Sequence, residues 1–137
     1  MKVRDVMTPN PVTLESSAPV MDAAQAMSQH KIGDVVVRKN GKLCGIVTDR
    51  DIVIRVVGEG RDPNKTELDS ICSHEIVTVS PGQNTSDAVK LMRERAVRRL
   101  PVVENNHVLG IVSLGDLALA MDRRSALGDI SAAPPSQ

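Results

Sequence analysis

The chain has 137 residues, of which 41% are apolar, so it is long enough for a hydrophobic core and wholesale disorder is excluded. It contains no Phe, Tyr or Trp, which excludes the aromatic stacking platforms of proteins that bind single-stranded nucleic acid. Its 17 basic residues are balanced by 17 acidic ones, so it lacks the excess of positive charge that is typical of proteins that bind duplex DNA. No apolar run is long enough to span a bilayer. Two isolated cysteines and the lack of a signal-peptide pattern predict a cytoplasmic protein.

The first elements in chain order are a short strand and a helix. Residues 11–14 predict the strand, and an amphipathic helix is predicted from about Ala18. Its apolar residues recur at positions i, i+3, i+4 and i+7, which are Val20, Ala23, Ala24 and Met27. We therefore expect this face of the helix to be buried.

A hairpin and a second helix follow. Two runs rich in β-branched residues, 34–38 and 42–48, are joined by Asn40-Gly41, a strong signal for a type I′ turn. A helix is predicted from Asp49 to about Val57, and residues 58–65 form a polar linker. The first half of the chain thus predicts the order β-α-β-β-α.

The second half repeats the first at a constant offset of 65 residues. The stretch GIVTDRDI at 45–52 returns as GIVSLGDL at 110–117, and eleven positions between residues 1 and 56 are identical at this offset. Such a gapless repeat indicates two copies of one structural unit. We predict one unit over 1–60, a second over 61–124, and a disordered tail over 125–137 that is rich in Ala, Ser and Pro.

Paired β-α-β-β-α units that each end in G-h-h-[ST]-x-x-D resemble a tandem CBS-domain pair, or Bateman module, over roughly residues 1–122. The resemblance implies an α+β fold in which the two repeats pack as a pseudo-twofold module, and it implies a homodimer. The stretch at 48–55, followed by that at 60–64, is also similar to short stand-alone CBS proteins of the actinobacterial hypoxic-response type.

Two interpretations fit the doubled motif, Thr48-x-x-Asp51 and Ser113-x-x-Asp116. A hydroxyl followed three residues later by a carboxylate, at the junction of a strand and a helix, is a capping box that needs no ligand. The same helix start could bind phosphate, and its carboxylate could accept hydrogen bonds from the hydroxyls of a ribose. The resemblance implies the second role, with the Asp as ribose ligand and the Thr or Ser near the sugar and phosphate.

The resemblance also implies that each binding cleft combines the motif of one repeat with residues of the other. The cleft of Ser113 and Asp116 would then be walled by Thr13, Ile32, Gly33 and Asp34, and that of Thr48 and Asp51 by Thr78, Val97, Arg98 and Arg99. The first repeat departs from the family pattern, since Asp34 replaces an Arg and would repel a phosphate. We slightly favour the Asp116 cleft for the sugar, because the small Gly33 leaves room for a base.

The function that we predict is non-catalytic sensing of an adenosyl ligand such as AMP, ATP, NAD or S-adenosylmethionine, with no required cofactor and no enzyme motif. The regulated target would be a separate protein chain, and neither nucleic acid nor membrane is an expected partner. One alternative is a stress-response interaction module that binds no nucleotide. Another is a metal or redox sensor, but no metal ligand is assigned because Cys44, Cys72 and the three histidines share no metal-ligand spacing.

Overall fold

The structure, a computed structural model, describes residues 1–74 and 76–121, so the tail predicted at 125–137 lies outside the described residues. The helices are α1 Val3–Val6, α2 Val20–His30, α3 Asp49–Ile52, α4 Thr85–Arg95 and α5 Leu114–Met121, with a π-helical turn at Val53–Val57 and a 3₁₀ helix at Leu68–Ser70. The strands are β1 Thr8–Pro9, β2 Thr13–Glu15, β3 Asp34–Lys39, β4 Lys42–Thr48, β5 Arg99–Glu104 and β6 His107–Ser113. This mixture of helices and strands confirms the predicted α+β class.

Each half of the chain contributes the hairpin of one three-stranded sheet. One sheet has the order β2-β3-β4 and the other the order β1-β6-β5. Both hairpins are antiparallel, and both tight turns use residues with positive φ, Asn40 and Gly41 in the first and Asn105 and Asn106 in the second. These dihedral angles are what a type I′ turn requires, so the hairpins predicted from the sequence are confirmed.

The chain forms two compact units that exchange a segment. Among the described residues, the first unit comprises Val12–Ile76, and the second comprises Met1–Pro11 together with residues 77–121. In the second unit Thr8 of β1 pairs with Ile111 of β6, and in the first unit Ser73 forms the equivalent bridge with Ile46, each 65 residues from its counterpart. The linear division into 1–60 and 61–124 follows the repeat along the chain rather than these compact units, and it stays a prediction.

Each unit has its own aliphatic core. The apolar face predicted for α2 is buried at Val20, Ala23 and Met27, whereas Ala24 is half-buried. In α4, Ala88 and Met92 are buried at the positions equivalent to Ala23 and Met27. The exchanged segments are residues 1–11 and the equivalent residues 66–76, and both contribute to a core: Leu68, Ile71 and Cys72 are buried in the first unit, and Val3, at the position equivalent to Leu68, is buried in the second. The segments are thus part of the cores that they cover.

Three local features differ from the prediction. Helix α2 begins at Val20 rather than near Ala18, because Pro19 is the extended N-cap residue. The helix expected over 49–57 is α-helical only to Ile52 and then widens to a π-helix. No helix among the described residues is both long enough and apolar enough to cross a membrane.

Candidate functional site

The motif of the first unit forms a complete capping box. Thr48 ends β4 and is the N-cap residue of α3, where its Oγ1 accepts a hydrogen bond from the Asp51 amide at 3.1 Å. In return, the Thr48 amide donates to Asp51 Oδ2 at 2.9 Å. The spacing of hydroxyl and carboxylate therefore has the structural role that the first interpretation predicted.

The motif of the second unit has the same geometry at the start of α5. The Ser113 amide donates to Asp116 Oδ2 at 2.9 Å, and the Asp116 amide donates to Ser113 Oγ at 3.0 Å. Both side chains are half-buried. Each motif aspartate thus uses Oδ2 to hold the backbone where the strand turns into the helix.

The two aspartates differ in what lies near the remaining oxygen. Asp51 Oδ1 is 4.0 Å from Nε of Arg55, one helical turn later, and the Arg55 guanidinium also donates to the Ile71 carbonyl at 2.6 Å. The residue equivalent to Arg55 in the repeat is Ala120, which carries no charge. Among the described residues of its own unit, Asp116 has no ion pair and no hydrogen bond beyond the capping box. Its Oδ1 is therefore the more available to an incoming donor.

Each motif lies beside the start of the hairpin of its own unit. The Asp49 amide donates to the Gly33 carbonyl at 3.0 Å, and at the equivalent position the Leu114 amide donates to the Arg98 carbonyl at 2.8 Å. Asp34 is the register partner of Thr48 in the first sheet, as Arg99 is of Ser113 in the second. The structure therefore brings Gly33 and Asp34 to the Thr48 motif, and Arg98 and Arg99 to the Ser113 motif.

The other predicted wall residues lie along the same sheets. Ile32 and Val97 are half-buried and pack against the cores of the first and second units, respectively. Thr13 pairs with Val36 in the parallel part of the first sheet, and Thr78 is exposed beside the bridge between Val79 and Val102. The combination of each motif with wall residues of the other repeat stays a prediction.

A second group of polar side chains, which the sequence analysis did not assemble, lies in the first unit. Its members are Cys44, Asp69, Cys72 and His74, and their ligand atoms all lie within 4.8 Å of one another. Without a metal ion, burial, and next the neighbouring Cys44 thiol, raise the pKa of the Cys72 thiol to about 12, so the free thiol is not a reactive thiolate. The local pattern Asp69-x-x-Cys72-x-His74 was the one signal in the sequence, since Cys44 lies on β4 and only the fold brings it beside the other three residues.

Comparison with known proteins identifies the family. The CBS domain matches this chain twice, over residues 3–58 and 68–123. The chain belongs to the CBS domain family. It is 40% identical over 117 residues to the CBS domain-containing protein YhcV of Bacillus subtilis, covering 85% of this chain and 83% of YhcV. It is also 32% identical to hypoxic response protein 1 of Mycobacterium tuberculosis, over 84% of this chain and 81% of that protein, which confirms the narrower resemblance.

Solved structures of CBS proteins share the fold. The structure of Hypoxic Response Protein I with two coordinated zinc ions is 31% identical, has a TM-score of 0.77, and is matched over 86% of this chain and 97% of that one. The CBS domain pair of protein MJ0100, in complex with 5′-methylthioadenosine and S-adenosylmethionine, is similar in fold alone, with 24% identity and a TM-score of 0.80 over 91% of this chain and 98% of that one.

Proposed function

We propose that this CBS pair is a non-catalytic regulatory module that senses an adenosyl compound of the class of AMP, ATP, NAD or S-adenosylmethionine. The observation that carries the proposal is the arrangement of Asp116. One of its oxygens is used by the capping box, while the other has no partner among the described residues of its unit. A carboxylate held in this way can accept hydrogen bonds from the two hydroxyls of a ribose without giving up its structural role.

Two further features support this chemistry. Helix α5 starts directly after Ser113, and the first amides of a helix attract an anionic group such as a phosphate. The fold itself accommodates adenosyl compounds, since the MJ0100 pair is in complex with two of them. Because the chain has no aromatic residue, the adenine would lie between aliphatic side chains.

We propose Asp116 rather than Asp51 as the principal sugar ligand. The Arg55 guanidinium lies 4.0 Å from the second oxygen of Asp51, so a ribose at that position has to compete with a cation. The residue equivalent to Arg55 is Ala120, so Asp116 lacks the cation that lies one helical turn after Asp51. The Asp51 site is then the weaker of the two.

The proposal is tested by calorimetric titration with AMP, ATP, NAD and S-adenosylmethionine. Asp116→Ala is expected to weaken binding of the tightest ligand by about 1.5–3 kcal/mol, or roughly 10- to 150-fold, as expected for hydrogen bonds to a charged group. Asp87→Ala is a matched control, because Asp87 forms the same capping box with Asn84 in the same unit. If Asp87→Ala weakens binding as much as Asp116→Ala does, the ribose role is wrong.

The alternative function is that of an interaction module that binds no nucleotide. It is favoured by the completeness of both capping boxes, which give each motif residue a structural role. Failure of all four compounds to bind, in a protein shown to be folded, would support this alternative. In either case we propose that the protein acts in the cytoplasm on a separate target chain.

We also propose that the protein is a homodimer. Several large apolar side chains on the helical segments that follow β4 and β6 are exposed, namely Val53, Ile54, Val57, Leu114 and Met121. Exposed apolar patches of this kind commonly mark protein–protein contacts. Sedimentation equilibrium tests the assembly, and a monomer at micromolar concentration would contradict it.

A further inference from the structure

The polar group in the first unit is assembled by the exchanged segment. Cys44 lies on β4, whereas Asp69, Cys72 and His74 lie in and just after the 3₁₀ helix of that segment. The bridge between Ser73 and Ile46 holds the segment against β4. Gly45 permits this approach, because a Cβ at that position would collide with the Ser73 carbonyl and crowd the Cys72 sulphur. Four potential metal ligands are therefore held together by backbone contacts.

The distances between the ligand atoms suit a tetrahedral ion. Cys44 Sγ lies 3.6 Å from Asp69 Oδ1 and 3.6 Å from His74 Nδ1, and the ligand atoms of the four residues all lie within 4.8 Å of one another. In a tetrahedral zinc site, sulphur lies about 2.3 Å and nitrogen or oxygen about 2.0–2.2 Å from the metal, which places the ligands about 3.4–3.8 Å from one another. Only a small adjustment of the side chains is needed to surround an ion.

The hydrogen bonds around the group orient its members. His74 Nε2 lies 2.9 Å from the Asp69 carbonyl oxygen, so the hydrogen on Nε2 donates to that carbonyl and Nδ1 keeps its lone pair on the side of Cys44. Zinc-bound histidines commonly donate their second ring nitrogen in this way. Lys39 Nζ lies 3.7 Å from Asp69 Oδ2, which leaves Oδ1 facing the thiol of Cys44.

The internal repeat shows that the fold does not require these side chains. The second unit keeps the glycine as Gly110 and the bridge as Thr8 with Ile111. At the four positions equivalent to the ligands, however, it has residues that do not bind zinc in this way: Leu109, Arg4, Met7 and Pro9. The two thiols, the imidazole and the carboxylate thus occur together in the first unit and have no counterpart in the second.

We propose that the first unit binds one Zn²⁺ ion through Cys44, Asp69, Cys72 and His74. Two sulphur ligands with one nitrogen and one oxygen suit zinc, whereas calcium and magnesium prefer oxygen ligands alone. Three ligands belong to the exchanged segment and one to β4, so the ion would fasten the segment to the sheet. Binding would therefore stabilise the first unit, independently of any adenosyl ligand at the motif aspartates.

The test uses the full chain, stripped of metal by a chelator and kept reduced, and titrated with Zn²⁺ alone. We expect one equivalent to bind and to raise the melting temperature. Titration with Co²⁺ should give the visible absorption of a tetrahedral thiolate complex. Binding of less than one equivalent, or a cobalt spectrum without thiolate bands, would overturn the proposal.

Substitutions then locate the ion. His74→Gln and Cys44→Leu are expected to weaken zinc binding by at least about 10- to 100-fold, since even the loss of an outer-shell partner costs that much. Cys44→Leu introduces the residue that the second unit has at this position, and His30→Gln is the control for an exposed histidine outside the group. Because the His74 side chain is 56% exposed, His74→Gln should fold even if Cys44→Leu does not. Unchanged zinc affinity in folded His74→Gln contradicts the site, whatever the outcome of the nucleotide titrations.

Discussion

At the scale of single residues, the motif aspartates combine two roles on one side chain. Oδ2 of Asp116 accepts the Ser113 amide, and that contact fixes the direction in which Oδ1 points. A side chain positioned in this way loses little further conformational entropy when it binds a ligand. The structural and the functional interpretations of the motif are therefore compatible, and substitutions that affect only one role can separate them.

Ser113→Ala and Asp116→Asn make this separation. Ser113→Ala removes the hydroxyl that accepts the Asp116 amide, so it is expected to cost about 0.5–2 kcal/mol of stability with or without a nucleotide. Asp116→Asn keeps one oxygen for the Ser113 amide but replaces the other by an amide donor, which cannot accept from a ribose. We expect it to change the stability of the free protein little and to reduce the stabilisation by ligand strongly.

Melting curves with and without a saturating nucleotide measure both effects. Thr48→Ala serves as a parallel case, because Thr48 caps α3 in the other unit. A lower melting temperature of ligand-free Asp116→Asn, combined with an intact increment from the nucleotide, would show that Asp116 is a cap alone.

The proposed zinc site could not be predicted from the sequence in the way that the capping boxes could. The Thr48 and Asp51 box could be predicted because its members are three residues apart and their contact is local. Cys44 and Cys72 are 28 positions apart, and they meet only because Gly45 lets the exchanged segment approach β4. A site formed by long-range contacts of this kind has no fixed spacing to search for.

At the scale of elements, both long helices end in the same unusual way. Helix α2 is followed by Lys31 and helix α4 by Ala96, each in the left-handed conformation with φ near 55°. Glycine is the usual residue at such a position, because a Cβ makes this conformation unfavourable. The amides of Ile32 and Val97 close the two turns by donating to the carbonyls of Met27 and Met92. The helix ends thus keep this geometry at the expense of stability.

Ala96→Gly should therefore stabilise the protein. Glycine adopts the left-handed conformation without the cost of about 1–2 kcal/mol that alanine has there. It also increases the entropy of the unfolded chain, which lowers the stability by a smaller amount. We expect a net gain of about 0.5–1 kcal/mol, measured by denaturation in urea. Ala26→Gly, in the interior of α2, is the control of opposite sign and should lose about 1 kcal/mol. Destabilisation by both substitutions would show that the left-handed turn carries no strain.

Local sequence signals predicted the order of elements well. Asn40-Gly41 specified its turn, and the apolar spacing from Val20 to Met27 specified the buried face of α2, because these signals act between near neighbours. The π-helical turn at 53–57 was not predicted, since its apolar residues are equally compatible with a regular α-helix. Its Val56 is fully buried while Val53 and Val57 are exposed, and the hydrophobic pattern alone does not distinguish them.

At the scale of the whole molecule, the repeat is a pair of units with exchanged segments. Residues 1–11 have no identical partner 65 positions later, so the similarity that defined the repeat begins only at Val12. The exchange was therefore not visible in the identities, although the backbone contacts of the two segments are equivalent. The bridge of Lys2 with Asn84 in the second unit corresponds to that of Glu67 with Pro19 in the first.

The exchange predicts which unit each buried residue of the segments supports. Leu68 is fully buried in the core of the first unit, so Leu68→Ala is expected to cost about 2–5 kcal/mol and to reduce the hydrogen-exchange protection of β3 and β4. Val3→Ala, at the equivalent position, should act on β5 and β6 instead, because Val3 lies in the other core. The two variants therefore form a matched pair. Each substitution lies in the segment of one repeat but is expected to affect the hairpin of the other repeat. Equal loss of protection in both hairpins from Leu68→Ala would mean that the two units unfold together. A loss confined to β5 and β6 would mean that Leu68 stabilises the second unit and would contradict its place in the core of the first.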